Sequence, residues 1–504
     1  MEQFLPCEQV IFSAKSDIDK EFDYSLPEYL PGISRIVKTS CRIEKCAPSE
    51  NGRVDNIGVS VLFCVIYISD FGGKIRTAVF RETFSVPFPS APETTSCTVL
   101  PSCAVSLCFS KPTSPRSLRT HLSLTSELCI AENKSKKIYG KDESDSLHVL
   151  TKDVTACDKR SFCGKEGSFS ADGVIDSSLP AIGELILCDA VFCKAEARCG
   201  DGIADFEAHF LLHALYQASS EDGETIYLGA SFPHVEKGRI YDDGITEASL
   251  CHLRFDTTGC EGAVSFDSFG ENRVIGFEVK YSASGFSHCS YEKEVALDGF
   301  SDSFGYDIKS VPTTFTRAVS PINTVFTATE KLRADTGSLS NICTCVARIT
   351  SVSYESSAGR FFAAAKCLVE VSGTDGSGML CSSDGSCTLH IPLGTASTNL
   401  SPDAVISISS CRCEVREGGL VCDFEMRTDG FMFEKITENV VESLSENTEK
   451  PISKDTGKVT VYYPASGEEI WSISKKYKVN PDYLRRVNSL DDSPAVSKKT
   501  LLIP

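Results

Sequence analysis

Short runs in which apolar and polar residues alternate dominate the first 440 residues. VSVLFCVIYISDFGGKI at 59–75, FEAHFLLHALYQASSEDGETI at 206–226 and GRFFAAAKCLVEVSGTDGSGML at 359–380 each read as a strand, an acidic-glycine turn and a returning strand. Alternation with period 2 turns one side of a strand toward a core and the other toward water. The pattern also recurs along the chain. LPGISRIV at 30–37 returns as LPAIGELI at 179–186, 149 residues later, so a module is repeated. The third copy keeps Gly359-Arg360 where the first has Gly52-Arg53, but it lacks the Leu-Pro-x-Ile segment. Each copy is followed by a further strand-rich stretch, at 118–132, 272–284 and 419–434.

Asp222-Gly223, Asp243-Gly244, Asp384-Gly385 and Asp429-Gly430 are turn signals between such runs and indicate antiparallel sheet, a sandwich or open barrel per copy. The Leu-Pro-x-Ile segments are expected to form one short helix each, because proline fits a first helical turn. The expected fold is mainly β: tandem antiparallel β-sandwich-like repeats over residues 1–150, 151–298 and, as a divergent third copy, 299–435. Residues 436–457, ITENVVESLSENTEKPISKDTG, are polar without a sustained apolar period and are predicted to be a linker.

The pattern changes again in the last fifty residues. VTVYY at 459–463 alternates as a strand, and Ile470, Ile473 and Tyr477 then recur at helical spacing behind Gly467, Glu468 and Glu469, with Trp471 assigned to the same apolar side. Asn480 is a good N-cap with Pro481 at the first helical position, and Tyr483, Leu484 and Val487 give a second helix an apolar side. Residues 500–503 close with a strand, so the predicted order is a small α+β unit, βααβ.

Gly467, Ile470, Trp471, Ile473, Tyr477, Leu484, Asn488, Leu501 or Leu502, Ile503 and Pro504 fall where LysM domains have their pattern, and residues 458–504 resemble that family over about a tenth of the chain. The resemblance implies binding of N-acetylglucosamine polymers through two loops, which here place Gly467, Glu468, Glu469 and Ile470, and Ser497, Lys498, Lys499 and Thr500, as candidate ligand-binding residues. Glutamates stand where the family has Asp-Thr, and Lys498-Lys499 replace a loop that usually carries glycine. Loss of the hydroxyl and of a glycine that lets backbone approach a sugar favours a protein ligand.

The first module and the stretch ALDGFSDSFGYDI at 296–308, together with EFDYSLPEYLPGISRIVKTSCRI at 21–43, resemble the SPOCS domain of spore coat assembly proteins of the SipL and SpoVID kind, in which such modules precede a C-terminal LysM domain. That resemblance implies a non-enzymatic morphogenetic scaffold of the mother-cell cytoplasm that helps attach the coat to the forespore surface. Its LysM domain would dock on a coat basement-layer protein of the SpoIVA kind. The alternative is a peptidoglycan-binding protein.

Charge and composition fit these expectations. With 69 acidic against 50 basic residues among 504, the chain carries a net charge of −19, which argues against nucleic acid or an anionic membrane as partner. Residues 458–504 are the exception at +3, leaving −22 elsewhere, and such opposite poles suit self-association or an acidic partner. The first residues lack the basic start and apolar stretch of a secretory signal, and no run is long enough to span a membrane. The 24 cysteines are then expected to be reduced thiols packed as small apolar residues, with Cys343/Cys345 and Cys411/Cys413 each on one strand face, where zinc or crosslinks are conceivable although no CxxC knuckle is present. No phosphate-binding loop is found, HFLLH at 209–213 lacks the glutamate of a zinc protease, and GTDGSG at 373–378 reads as a hairpin turn, so neither cofactor nor metal nor catalytic residue is predicted.

Overall fold

The computed structural model of the protein describes residues 2–48, 55–92, 97–140, 146–219, 225–332, 339–416, 419–452, 459–491, 493–496 and 500–504. The chain is mainly β and repeats one six-stranded plan three times. The first copy contains β1 (Glu2–Ser25), β2 (Ile33–Pro48), β3 (Asn56–Ser69), β4 (Ile75–Pro87), β5 (Cys97–Ser114) and β6 (Ser117–Tyr139). The second contains β7 (Leu147–Val174), β8 (Ile182–Gly200), β9 (Ile203–Ala218), β10 (Tyr227–Tyr241), β11 (Leu250–Phe266) and β12 (Asn272–Ser301). The third contains β13 (Phe304–Leu332), β14 (Leu339–Ser357), β15 (Arg360–Asp375), β16 (Leu380–Thr395), β17 (Leu400–Arg416) and β18 (Gly419–Pro451).

Within each copy the second, third and fourth strands form one antiparallel meander, and the first, sixth and fifth form another sheet in that spatial order. The central strands show why: Ile57, Val59, Val61 and Phe63 alternate inward on β3, as Phe206, Ala208 and Phe210 do on β9 and Ala365, Cys367 and Val369 on β15. Each meets the inner face of the opposite sheet, carried by Leu122, Leu124 and Ile130 on β6, Phe277 and Val279 on β12, and Cys422, Phe424 and Met426 on β18. Every copy therefore has its own core.

The three copies also share cores with one another. Ile138 of the first, Val154, Ala156 and Val295 of the second, and Phe315 and Val440 of the third form one cluster. Ile66 and Ile75, Ile186 and Leu215, and Leu380 form another. Three modules that each contribute apolar residues to two common clusters constitute one packed body, not beads on a string.

Several expectations are corrected. Of residues 436–457, predicted as linker, 436–451 continue β18 and pair with β13, with Val440 and Val441 fully buried, and 453–457 lie outside the described residues. Their polar alternation is that of a strand with one wet face. The Leu-Pro-x-Ile segments are turns leading into β2 and β8, where Leu30 N–H bonds the Pro27 carbonyl and Leu179 N–H that of Asp176. Asp243-Gly244 lies in a turn after β10, but Asp384-Gly385 and Asp429-Gly430 lie inside β16 and β18; Asp222-Gly223 falls outside the described residues. A Cβ on Gly430 would stand 2.2 Å from the Asp403 carbonyl oxygen, so this glycine serves close strand approach instead of turning. GTDGSG does turn: the Asp375 carboxylate accepts the Ser377 and Met379 amides at 2.9 and 3.0 Å.

The cysteine expectation changes in two places. A bulge between Ile342 and Thr344 breaks the period of β14, so Cys343 packs into a cluster shared between modules while Cys345 faces the third module's own core. Cys413 and Cys422, directly opposite on β17 and β18, form a disulfide.

Candidate functional site

After β18 the chain forms a last unit of β19 (Thr460–Tyr462), α1 (Ile470–Tyr477), α2 (Pro481–Asn488) and β20 (Leu501–Ile503). Ile470, Ile473, Leu484, Leu501 and Ile503 are its core. The Asn480 side chain caps α2 by accepting the amides of Asp482 and Tyr483 at 2.8 and 3.1 Å. Asn488 fastens the end of α2 to β20: its amide nitrogen donates to the Leu502 carbonyl at 2.8 Å, and its oxygen accepts the Leu502 amide at 2.7 Å.

The first predicted ligand loop is met by residues 494–496. Val496 N–H bonds the Glu468 carbonyl and Ile470 N–H the Pro494 carbonyl, both at 3.0 Å, so the segment before the second loop lies along the first. Gly467 is exposed with φ 81°, a left-handed conformation that suits glycine at the tip of the turn. Glu468 faces inward along the loop: its carboxylate accepts the Tyr462 hydroxyl at 2.8 Å and the Ala465 amide at 2.9 Å, and these bonds hold its pKa below the ordinary value. Glu469 is exposed at the N-cap of α1, Ile470 is a core residue, and Thr500 is exposed; Ser497, Lys498 and Lys499 lie outside the described residues.

Trp471 corrects the expectation that it packs in this small core. Ile470, Ile473, Ser474 and Tyr477 form the inward stripe of α1, and Trp471 belongs to a second stripe with Lys475 and Lys478, at i, i+4 and i+7. That stripe meets the second module. Trp471 Nε1 donates to the Asp298 carboxylate at 2.9 Å, Lys475 Nζ donates to both Asp298 oxygens at 2.6 and 2.7 Å, and the Trp471 ring stands edge-on to buried Phe300 with centroids 5.1 Å apart. Lys478 Nζ lies 5.5 Å from the same Phe300 ring. Burial pushes the Asp298 carboxyl up, but donors from Lys475, Trp471 and the Gly299 amide outweigh it and hold the group below its ordinary 3.8. Asp298 and Phe300 were not candidates from sequence chemistry, although both lie in the 296–308 segment that carries the SPOCS resemblance.

With α1 turned to the body, the opposite face of the unit is open. β19 and β20 pair Val461 with Leu502, and period-2 alternation sends Tyr462, Leu501 and Ile503 inward while Val461, Tyr463 and Leu502 point out. These three are 51%, 73% and 46% exposed. Tyr483 and Val487 add exposed apolar surface on α2, with Arg486 over the Tyr483 ring.

A second feature lies inside the body. A cavity of about 1150 Å³ is walled by strands from all three modules, including residues 39–47 of β2, 185–192 of β8, 347–352 of β14 and 403–408 of β17. An ionic network crosses it: Asp189 receives Arg42 at 2.8 Å and Arg348 on its other oxygen, and Arg348 also binds Glu370 at 2.6 Å. Burial raises the Asp189 pKa, but the two guanidiniums outweigh it and hold the carboxyl well below the usual range. Nearby His213 donates to or accepts from Ser231 at 2.9 Å, and burial lowers its pKa to about 4. Cysteines are frequent in the wall, and burial pushes the Cys260 thiol up to about 12, so it is protonated and a poor nucleophile at neutral pH. The network joins three modules through one carboxylate.

No helix among the described residues is long and apolar enough to cross a membrane. Compared with known proteins, the chain matches no family model, no curated protein and no solved structure.

Proposed function

We propose that the chain is a non-enzymatic scaffold of spore coat morphogenesis whose three β modules form a rigid body and whose C-terminal unit, a LysM-like domain, docks on a protein of the coat basement layer. The observation that carries this reading is the outward face of the β19–β20 sheet, where Val461, Tyr463 and Leu502 are exposed together. Apolar residues exposed side by side on a sheet suit a protein surface. The glycan loop argues the same way: bonds to Tyr462 and Ala465 fix the Glu468 carboxylate along its own loop, where the family has a hydroxyl-bearing turn. The net +3 charge of residues 458–504 favours an acidic partner, of the SpoIVA kind in the spore coat setting, at the forespore surface in the mother-cell cytoplasm.

The test uses the full chain against two immobilised targets, purified peptidoglycan and a purified coat basement-layer ATPase. Capture by the protein target, lost in Val461→Asp/Tyr463→Asp, supports the proposal. Retention on peptidoglycan with no binding to the protein target overturns it in favour of a glycan-binding role.

A further inference from the structure

Each module brings its second and fifth strands side by side, and each of these seams carries facing cysteines. In the first, the sulfurs of Cys46 and Cys103 are 3.2 Å apart; in the second, those of Cys199 and Cys251 are 3.1 Å apart. The third seam differs, because three sulfurs converge. Cys345 Sγ on β14 lies 3.3 Å from Cys413 Sγ and 3.7 Å from Cys411 Sγ on β17, and Cys411 and Cys413 are 3.9 Å apart. Among the described residues this is the one group of three or more metal-capable side chains whose ligand atoms all approach within 4.8 Å.

Those separations fit a particular ion. Four thiolates around tetrahedral zinc at Zn–S of about 2.3 Å have sulfurs roughly 3.8 Å apart. Three sulfurs at 3.3, 3.7 and 3.9 Å mark one face of such a tetrahedron. A fourth thiol, Cys422, is directly opposite Cys413 in the β17–β18 register and bonded to it; its sulfur stands outside the group of three and would turn to the fourth corner once that bond is broken. Cys422 is fully buried, whereas Cys345, Cys411 and Cys413 are half-buried, so the group is open on one side and anchored in the core on the other.

We infer that the third module holds a structural zinc ion on Cys345, Cys411, Cys413 and Cys422 when the Cys413–Cys422 disulfide is reduced, and that the disulfide is the metal-free form of the same site. Reduction by a dithiol breaks the Cys413–Cys422 bond, leaves two protein thiols and converts the dithiol to its cyclic disulfide. One Zn²⁺ then displaces four protons from the four thiols to give a tetrathiolate of net charge −2. Lys38, ion-paired to Glu370 at 3.6 Å, is the nearby cation. Metal and disulfide are mutually exclusive because both draw on the Cys413 and Cys422 sulfurs, so the third seam is closed by one chemistry or the other.

The test is metal analysis of the full chain after reduction with a dithiol, addition of Zn²⁺ and removal of unbound metal. One zinc per chain is expected in the wild type, none in Cys345→Ser or Cys411→Ser, and one in Cys46→Ser, which alters the first seam. Zinc retained at one per chain in both Cys345→Ser and Cys411→Ser overturns the assignment. In case those variants fold poorly, Co²⁺ added to the reduced wild type gives an independent reading: a strong thiolate-to-cobalt charge-transfer absorption supports the site, and its absence overturns it. Equal zinc uptake before and after reduction refutes the exchange between disulfide and metal.

Discussion

Removal of the Asp298 carboxylate, in Asp298→Ala, should release the C-terminal unit from the body while leaving both folded. The carboxylate accepts the Trp471 indole N–H at 2.9 Å, and a hydrogen bond to a charged group contributes about 1.5–3 kcal/mol. The Lys475 pair adds less, about 0.2–1 kcal/mol, because Lys475 and Asp298 are 40% and 28% exposed and water screens them. The Phe300–Trp471 contact survives the substitution. The docking equilibrium should therefore weaken by about 2–4 kcal/mol, roughly 30- to 1000-fold. Trp471 is the only tryptophan, so its emission reports this one contact. Across a urea gradient the wild type should show a red shift and a gain in acrylamide quenching as the unit leaves, before the modules unfold, and Asp298→Ala should show both at lower urea or without urea. Lys475→Met should shift the transition only slightly. The reasoning fails if Asp298→Ala leaves emission and quenching unchanged at every urea concentration, or if Lys475→Met shifts them as much. The pH dependence has a fixed sign: the depressed Asp298 pKa means docking is fully supported above 3.8 and lost only as pH falls below it.

Asp189→Asn leaves the Arg42 and Arg348 guanidiniums in the cavity wall without their shared anion, and should cost about 3–5 kcal/mol, read as a lower urea midpoint for the body with little change in the Trp471 signal. Ile473→Ala, at a fully buried position, should destabilise the C-terminal unit by about 2–5 kcal/mol; hydrogen exchange should lose protection across α1 and α2 and keep it in the modules. His288, stacked on His252 and packed edge-on to Phe431 and Phe433, has its pKa lowered by burial to about 4. A histidine kept neutral stabilises most above its unfolded value of about 6.5 and progressively less as pH falls toward 4, so the body should lose up to about 3 kcal/mol over that window, and His288→Phe should flatten the loss. An unchanged slope in that variant would assign the acid sensitivity elsewhere.

What sequence conveys here depends on whether a contact is local. The Leu-Pro-x-Ile repeat is legible as a repeat, but its segments, expected as short helices, are turns that lead into β2 and β8 at Ile33 and Ile182. The central strands are legible because one buried face imposes period 2 on Ile57 to Phe63. Residues 436–451 look like linker because the surface they bury is small and lies at the junction of three modules, where Val440 meets Ile138 and Val154, and such partners are invisible to a local pattern. Trp471 is misjudged in the same way. A helix with two faces in contact has two apolar stripes, and spacing alone assigns the aromatic to the nearer one, whereas Asp298, 173 residues away, determines its direction. The two cases point to one property of this chain. Its modules are readable singly, but their joints are not: shared apolar clusters around Ile138 and Ile66 are combined with carboxylates that accept from two side chains, Asp189 from two arginines at the centre and Asp298 from Trp471 and Lys475 at the C-terminal unit. In both places one carboxylate gathers two donors from different units and fixes the geometry of the joint. Such contacts are specific in geometry yet modest in net energy, so the C-terminal unit rests against the body in one orientation without being fused to it. A joint built from apolar area alone would not offer that combination.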